Sequence, residues 1–160
     1  MNGNRANMRV NGVVHSVSAD SDTPLLYVLR NEIGLNGPRF GCGLGQCGSC
    51  MVLIDGKATH SCNLPVSRAF GHAITTLEGL STEGTLHPVQ QAFIEEQAAQ
   101  CGYCSNGMIV RTVSLLTENQ SPTDEEIRIA LDDNLCRCGS HIRILRAVKR
   151  AALLSARKER

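Results

Sequence analysis

The stretch LNGPRFGCGLGQCGSC, Leu35 to Cys50, decides how the first half of the chain is read. Within it Cys42, Cys47 and Cys50 stand as C-x4-C-x2-C, and Cys62 follows after eleven intervening residues. Four sulfurs so placed need a loop that wraps a compact centre and delivers three of them, while a neighbouring strand brings the fourth. The glycines at 41, 43, 45 and 48 suit such a loop, because they accept positive φ and let backbone N–H groups come close to sulfur.

The spacing is that of a plant-type ferredoxin loop around a [2Fe-2S] cluster. Structural zinc also takes four thiolates, but it usually draws them from two short C-x2-4-C pairs, which an x4 gap in a glycine-rich loop fits poorly. Outward from this loop the sequence reads as strands. Met8-Arg9-Val10 and Val13 to Val17 flank Asn11-Gly12, a pair that tolerates the positive φ angles of a type I′ hairpin turn. A second hairpin is expected at Asp55-Gly56, between Met51 to Ile54 and Lys57 to Cys62. Asp22-Thr23-Pro24 opens a helix through about Glu32, with Pro24 in the first turn. Ile74 to Leu77 supplies a short last strand.

From about residue 82 the period becomes helical, which places a boundary near Glu78 to Thr85. Helices are expected from Pro88 to about Gln100, with Val89, Ala92, Phe93 and Ala99 on one face, and from Met108 to Leu116. Thr123-Asp124-Glu125-Glu126 carries a capping box for a third. The fourth runs from about Ile142 to Ser155, with Ile142, Leu145, Val148 and Ala152 on one side. The expected fold class is α+β, with a strand-rich unit over residues 1–80 and a four-helix unit over residues 81–160.

The helical half carries the second cysteine set, Cys101-Gly102-Tyr103-Cys104 and Cys136-Arg137-Cys138, each pair near the end of an expected helix. By itself this set stays open between iron-sulfur and zinc. Neither set matches the C-x2-C-x2-C-x3-C-P run of bacterial [4Fe-4S] ferredoxins. His15, His60, His72, His87 and His141 read as surface or loop residues, since eight thiolates already complete two clusters. The methionines read as core filling. No Ser-His-Asp or paired-carboxylate spacing points to an active site within the chain, so no catalytic residue is assigned.

Composition fits these readings. The chain has 160 residues, no Trp, three Phe and two Tyr, so two small cores would be marginal without help from metal. Its formal charge is +1, which gives no footprint for nucleic acid. The basic excess of the tail, Arg143 to Arg160, reads as a solvated helix face. Met1 to Val10 has no apolar core of a secretory signal, and no stretch approaches the roughly 20 apolar residues of a membrane span. A cytoplasmic chain is expected, where thiols stay reduced and serve metal or redox chemistry.

Taken together, Leu35 to Cys50, HPVQQAFIEEQAAQCGYC (His87 to Cys104) and NLCRCGSHIRILRAV (Asn134 to Val148) resemble the iron-sulfur small subunits of the xanthine dehydrogenase and aldehyde oxidoreductase family, the molybdenum hydroxylases. The segment from His87 to Met108 is most similar to the nicotinate dehydrogenase (nicotinate hydroxylase) branch. Asn106, where many relatives have Pro, favours the same branch. The resemblance implies a β-grasp ferredoxin-like domain followed by a four-helix [2Fe-2S]-binding domain, with Cys42, Cys47, Cys50 and Cys62 on one cluster and Cys101, Cys104, Cys136 and Cys138 on the other. It also implies a large partner carrying a molybdenum-pterin, molybdopterin cytosine dinucleotide, with Gln100 and Cys138 lying against the pterin. Electrons would pass through both clusters to an external acceptor such as a cytochrome c, after hydroxylation of an N-heteroaromatic such as nicotinate. An aldehyde-oxidising relative, a free-standing ferredoxin-like carrier and a zinc-bound structural module are the alternatives.

Overall fold

The computed structural model describes residues 5–158. Five strands come first: β1 (Ala6–Val10), β2 (Val13–Val17), β3 (Met51–Ile54), β4 (Lys57–His60) and β5 (Ala73–Thr75). They form one mixed sheet in the order β2-β1-β5-β3-β4, with β1 and β5 parallel and the other neighbours antiparallel. Both hairpin turns fall where expected. Asn11 and Gly12 have φ 51° and 81°, Asp55 and Gly56 48° and 82°, the paired positive angles of a type I′ turn.

Across the sheet lies α1 (Leu25–Tyr27), which runs straight into a π-helical turn, Val28–Glu32. Pro24 sits one residue earlier than expected, as the N-cap, with ψ 134°. Leu25, Val28 and Leu29 pack with Met8, Val10, Val17, Val52 and Ile74 in a first core. β1 alternates as a half-buried strand should, Met8 and Val10 inward and Asn7 and Arg9 outward. β3 does not alternate. Its Val52 enters the first core, while Met51 and Leu53 enter a second core formed with the helices, so both faces of the strand are covered.

The second core gathers α2 (Pro88–Glu95), α3 (Ser105–Glu118), α4 (Asp124–Ala130) and α5 (His141–Lys158). α3 is central and buried on most sides, including Met108, Val110, Thr112 and Val113. Its Ser114 hydroxyl accepts the Ala58 N–H of β4 at 3.1 Å, tying helix to sheet. The capping box at Thr123 forms as the sequence indicates: Glu126 N–H reaches Thr123 Oγ1 at 3.3 Å, and Thr123 N–H reaches Glu126 Oε2 at 2.7 Å.

Other expectations shift as well: β5 is Ala73–Thr75 with Leu77 in the 3₁₀ turn that follows, and α3 starts at Ser105. α2 ends at Glu95 and not near Gln100, because Gln97 turns left-handed (φ 50°) and closes a Schellman motif. The Gln97 N–H bonds the Ile94 carbonyl at 3.0 Å and the Ala98 N–H bonds the Phe93 carbonyl at 2.9 Å, with Ala98 buried against the core. Ala99 therefore lies outside the helix. On α5 the buried stripe is Ile144, Ala147, Val148 and Ala151, while Ile142 is 67% exposed. The small residues of that stripe let α5 lie close on α2, whose own inward face is Val89, Ala92 and Phe93. Among the described residues no helix is long and apolar enough to cross a membrane.

Candidate metal centres

All eight cysteines are free thiols. The first set sits where the loop before β3 meets the end of β4. Cys50 and Cys62 are buried with Leu26, and the Ser61 hydroxyl donates to the Cys50 carbonyl at 2.6 Å. Cys42 and Cys47 lie nearer the surface on the loop. Backbone N–H groups point at their sulfurs: Leu44 and Gln46 at Cys42 Sγ, 3.3 and 3.4 Å, and Cys42 at Cys47 Sγ, 3.3 Å. Desolvation raises the Cys42 thiol, but the N–H groups of Gln46 and Leu44 outweigh it and bring it down to about 7. Burial, reinforced by the adjacent Cys62 thiol, pushes Cys50 up to about 12.

The second set lies between helices, and the early end of α2 explains how. Residues 96–103 leave the helix, carry Gln100 and Cys101 outward, and return to Cys104, which is the N-cap of α3. Cys136 and Cys138 come from the link between α4 and α5. The pattern of N–H groups directed at sulfur repeats here. A bond from the Tyr103 N–H, helped by the Cys138 thiol, lowers Cys101. Desolvation works against Cys136, yet the Ser140 and Cys138 N–H groups bring it below its ordinary value. Burial, then the Cys136 thiol, lifts Cys104 to about 12. A backbone bond from Cys101 pulls Cys138 down, and the Cys101 thiol and desolvation together push it further up.

Within each set the side-chain hydrogen-bonding partners are Cys42 with Cys47, Cys50 with Cys62, Cys101 with Cys138 and Cys104 with Cys136, and in the second set the charge of Cys136 also reaches Cys101 and Cys138. Among the described residues no three His, Cys, Asp or Glu side chains gather around one point as a single-ion site requires. Two pairs per site is the donor arrangement for a diiron unit, in which each iron takes two thiolates. The residues present fit two such clusters.

Gln100 and Cys138 line the same cleft of about 550 Å³, together with Arg143 and Arg146. Gln100 also borders a neighbouring cleft of about 830 Å³ whose wall includes Arg39, Phe93, Ile94 and Asn106. Three of the histidines have partners other than thiols. His72 pairs with Asp55 at 2.5 Å, His87 caps α2 through the Val89 N–H at 3.2 Å, and His60 faces Asp133 at 3.7 Å. On the exposed face of the basic tail, Lys149 pairs with Asp124 and Arg150 with Glu95 and Glu96.

Sequence reasoning missed the residues that join the two sites. Arg39 donates to the Gly102 carbonyl and lies over the Tyr103 ring, 5.4 Å from its centroid. The Tyr103 hydroxyl donates to the Phe40 carbonyl at 2.5 Å. Asn106, 1% exposed, donates to the Ser49 and Met51 carbonyls at 2.9 and 3.0 Å, and so holds the first loop from α3. One signal was available: Gly107 sits in the first turn of a helix, where glycine costs up to about 1 kcal/mol and so marks a close approach.

The model of the 2Fe-2S iron-sulfur cluster binding domain matches residues 8–73, and that of the [2Fe-2S] binding domain matches residues 76–149. The chain is 60% identical over 145 residues to one of the subunits of nicotinate dehydrogenase from Pseudomonas putida, covering 91% of this chain and 92% of that one. It is 46% identical over 139 residues to the alpha subunit of isoquinoline 1-oxidoreductase from Brevundimonas diminuta, covering 87% and 91%. The crystal structure of quinoline 2-oxidoreductase from Pseudomonas putida 86 superposes with a TM-score of 0.90 at 36% identity, over 97% of this chain and 96% of that chain. With both halves matched, and relatives of this identity aligned over nearly their full lengths, the chain belongs to the [2Fe-2S] family of iron-sulfur subunits that includes those of nicotinate dehydrogenase and of the xanthine and aldehyde oxidoreductases.

Proposed function

We propose that this chain is the electron-relay subunit of a molybdenum hydroxylase whose large subunit oxidises nicotinate or a close N-heteroaromatic. The observation that carries the reading is the pairwise meeting of all eight thiols, with backbone N–H groups aimed at sulfur in both sets. Cys42 with Cys47 and Cys50 with Cys62 would hold the irons of one cluster, and Cys101 with Cys138 and Cys104 with Cys136 those of the other. When bound, the clusters supply one-electron redox chemistry. The chain's own contribution is to fix the thiolates, direct N–H groups at sulfur and exclude water from Cys50 and Cys62, which together tune potential.

Gln100 and Cys138 are the residues assigned to the partner's pterin, and their shared cleft on the helical unit supports that orientation. The two units divide in this reading at residues 80 and 81, after the 3₁₀ turn Leu77–Leu80. That turn already packs Leu77 and Leu80 against the helical core. The acceptor is a cytochrome c, and the complex works in the cytoplasm, where the thiols stay reduced before cluster insertion.

The test is to purify the chain with its molybdenum-pterin partner and measure iron, acid-labile sulfide and low-temperature EPR after dithionite. About four of each per chain, with two spin-half signals, is the expected result. About two irons, or zinc in their place, would overturn the two-cluster reading. Bleaching by nicotinate, followed by cytochrome c reduction, is expected of the same preparation. Bleaching by aldehydes with none by nicotinate would move the substrate to the aldehyde-oxidising branch.

A further inference from the structure

A backbone hydrogen bond joins the two thiol sets. The Leu135 N–H donates to the Cys47 carbonyl at 3.1 Å, so a residue of the first set meets the neighbour of Cys136 in the second. Packing around that bond is tight. A Cβ on Gly48 would lie 2.4 Å from Asn134 Oδ1 and 2.8 Å from the Asp133 carbonyl, and Asn134 is 5% exposed. Yet residues 133–135 belong to the irregular link between α4 and α5, which has no helix or strand of its own to fix it.

Arg111, on α3, supplies the fixture. Its Nε donates to the Ala130 carbonyl at the end of α4, 2.7 Å away, and its Nη2 reaches both carboxylate oxygens of Asp133 at 3.4 Å. Asp133 also accepts Asn134 Nδ2 at 3.0 Å and faces His60 Nε2, on β4, at 3.7 Å. The planar guanidinium thus spans two anchors, one on α4 and one on the link, a geometry that a point charge such as lysine does not reproduce. Both side chains are partly buried, 30% and 34% exposed, so solvent screens the pair less than a surface ion pair. Neither side chain hydrogen-bonds to a cysteine.

We propose that Arg111 and Asp133 are positioning residues that set the spacing of the two cluster sites, by holding Asn134 and Leu135 against Cys47 and Gly48. The inference rests on the two-cluster reading above. Were Arg111 only a staple between α3 and α4, its loss would lower stability and leave the geometry between the sites unchanged.

The experiment uses Arg111→Ala, Arg111→Lys and Asp133→Asn in the chain co-purified with its molybdenum-pterin partner. Iron content, the magnetic splitting between the two reduced cluster signals, and deuterium uptake of the peptide bearing Leu135 are measured together. Arg111→Ala and Asp133→Asn are expected to keep their iron, to change the splitting, and to exchange the Leu135 amide at least about tenfold faster. Arg111→Lys should fall between wild type and Arg111→Ala, since one ammonium cannot serve both anchors. Variants with wild-type splitting and exchange would overturn the inference, even if their melting temperatures fell. Loss of iron in both Arg111→Ala and Asp133→Asn would also overturn it, because the pair would then serve cluster binding and not spacing. A wild type with one cluster signal would sink the two-cluster reading, and this inference with it.

Discussion

Gly107→Ala is a substitution for which the structure predicts a large effect from a small change. A Cβ at that position would stand 2.0 Å from the Gly48 carbonyl oxygen, 2.6 Å from its carbon and 3.0 Å from Asn134 Oδ1. The struck atoms are the backbone of the first thiol loop, between Cys47 and Ser49, so no side-chain rotation relieves the overlap. Either α3 withdraws by about 1 Å or the loop does, and overpacking of this kind costs roughly 1–3 kcal/mol. Withdrawal also stretches the Asn106 bonds to Ser49 and Met51, at about 1 kcal/mol each. Against this stands the better helix propensity of alanine, about 1 kcal/mol. A net loss of about 2–4 kcal/mol follows, which for a domain of this size lowers the melting midpoint by roughly 5–15 °C. The assay is thermal loss of cluster absorbance in the iron-loaded protein, with Gly56→Ala as control. Gly56 has φ +82° and nothing within 4 Å, so only backbone strain of about 1–2 kcal/mol applies there. If Gly107→Ala melted at or above the wild-type midpoint with both clusters intact, the contact between α3 and the loop would not be as described.

The metal-free chain should lose stability as pH rises from near 9 toward 12, because burial raises Cys50 and Cys104 to about 12 and folding favours their neutral form. Denaturation of the apo-protein across that range should flatten in Cys50→Ser and Cys104→Ser, and an unchanged slope would refute the assignment. Cys138→Ser should cost both iron and the thermal stability of the helical unit, since metal binding and folding are coupled in units this small; full iron content at normal stability would withdraw Cys138 as a ligand. Gln97→Gly should be neutral or stabilising by up to about 1 kcal/mol in a denaturant melt, as it relieves a left-handed residue at the end of α2. A destabilisation above that size would mean the Gln97 side chain holds something more.

The cysteine spacing, the two Asn-Gly and Asp-Gly turns and the Thr123 capping box were legible because each is a local rule, satisfied by residues within a few positions of one another. The end of α2 was not, because its left-handed position is filled by Gln97, where the sequence signal for a stop is glycine. That single residue matters beyond the helix: a continuous helix to Gln100 would have put Cys101 on a helical turn, whereas the Schellman stop frees a loop to carry Cys101 to Cys138. The buried face of α5 was misplaced for a different reason. Ile142 faces solvent and the stripe turns instead to Ile144, Ala147, Val148 and Ala151, whose two alanines suit a close approach to α2. What joins the two sites is the least legible part, since Arg39, Asn106, Arg111 and Asp133 act on carbonyls and carboxylates far away in sequence, and no period or motif marks such pairs. Gly107 is the exception that shows how such contacts can be found. A helix bears a glycine at a cost, so a glycine in the first helical turn after a metal-ligand spacing points to a second backbone pressed against it, here the Gly48 carbonyl of the other site. The two thiol sets are therefore not two centres placed on one chain but one structure, in which the loop of the first forms part of the wall on which the second is built.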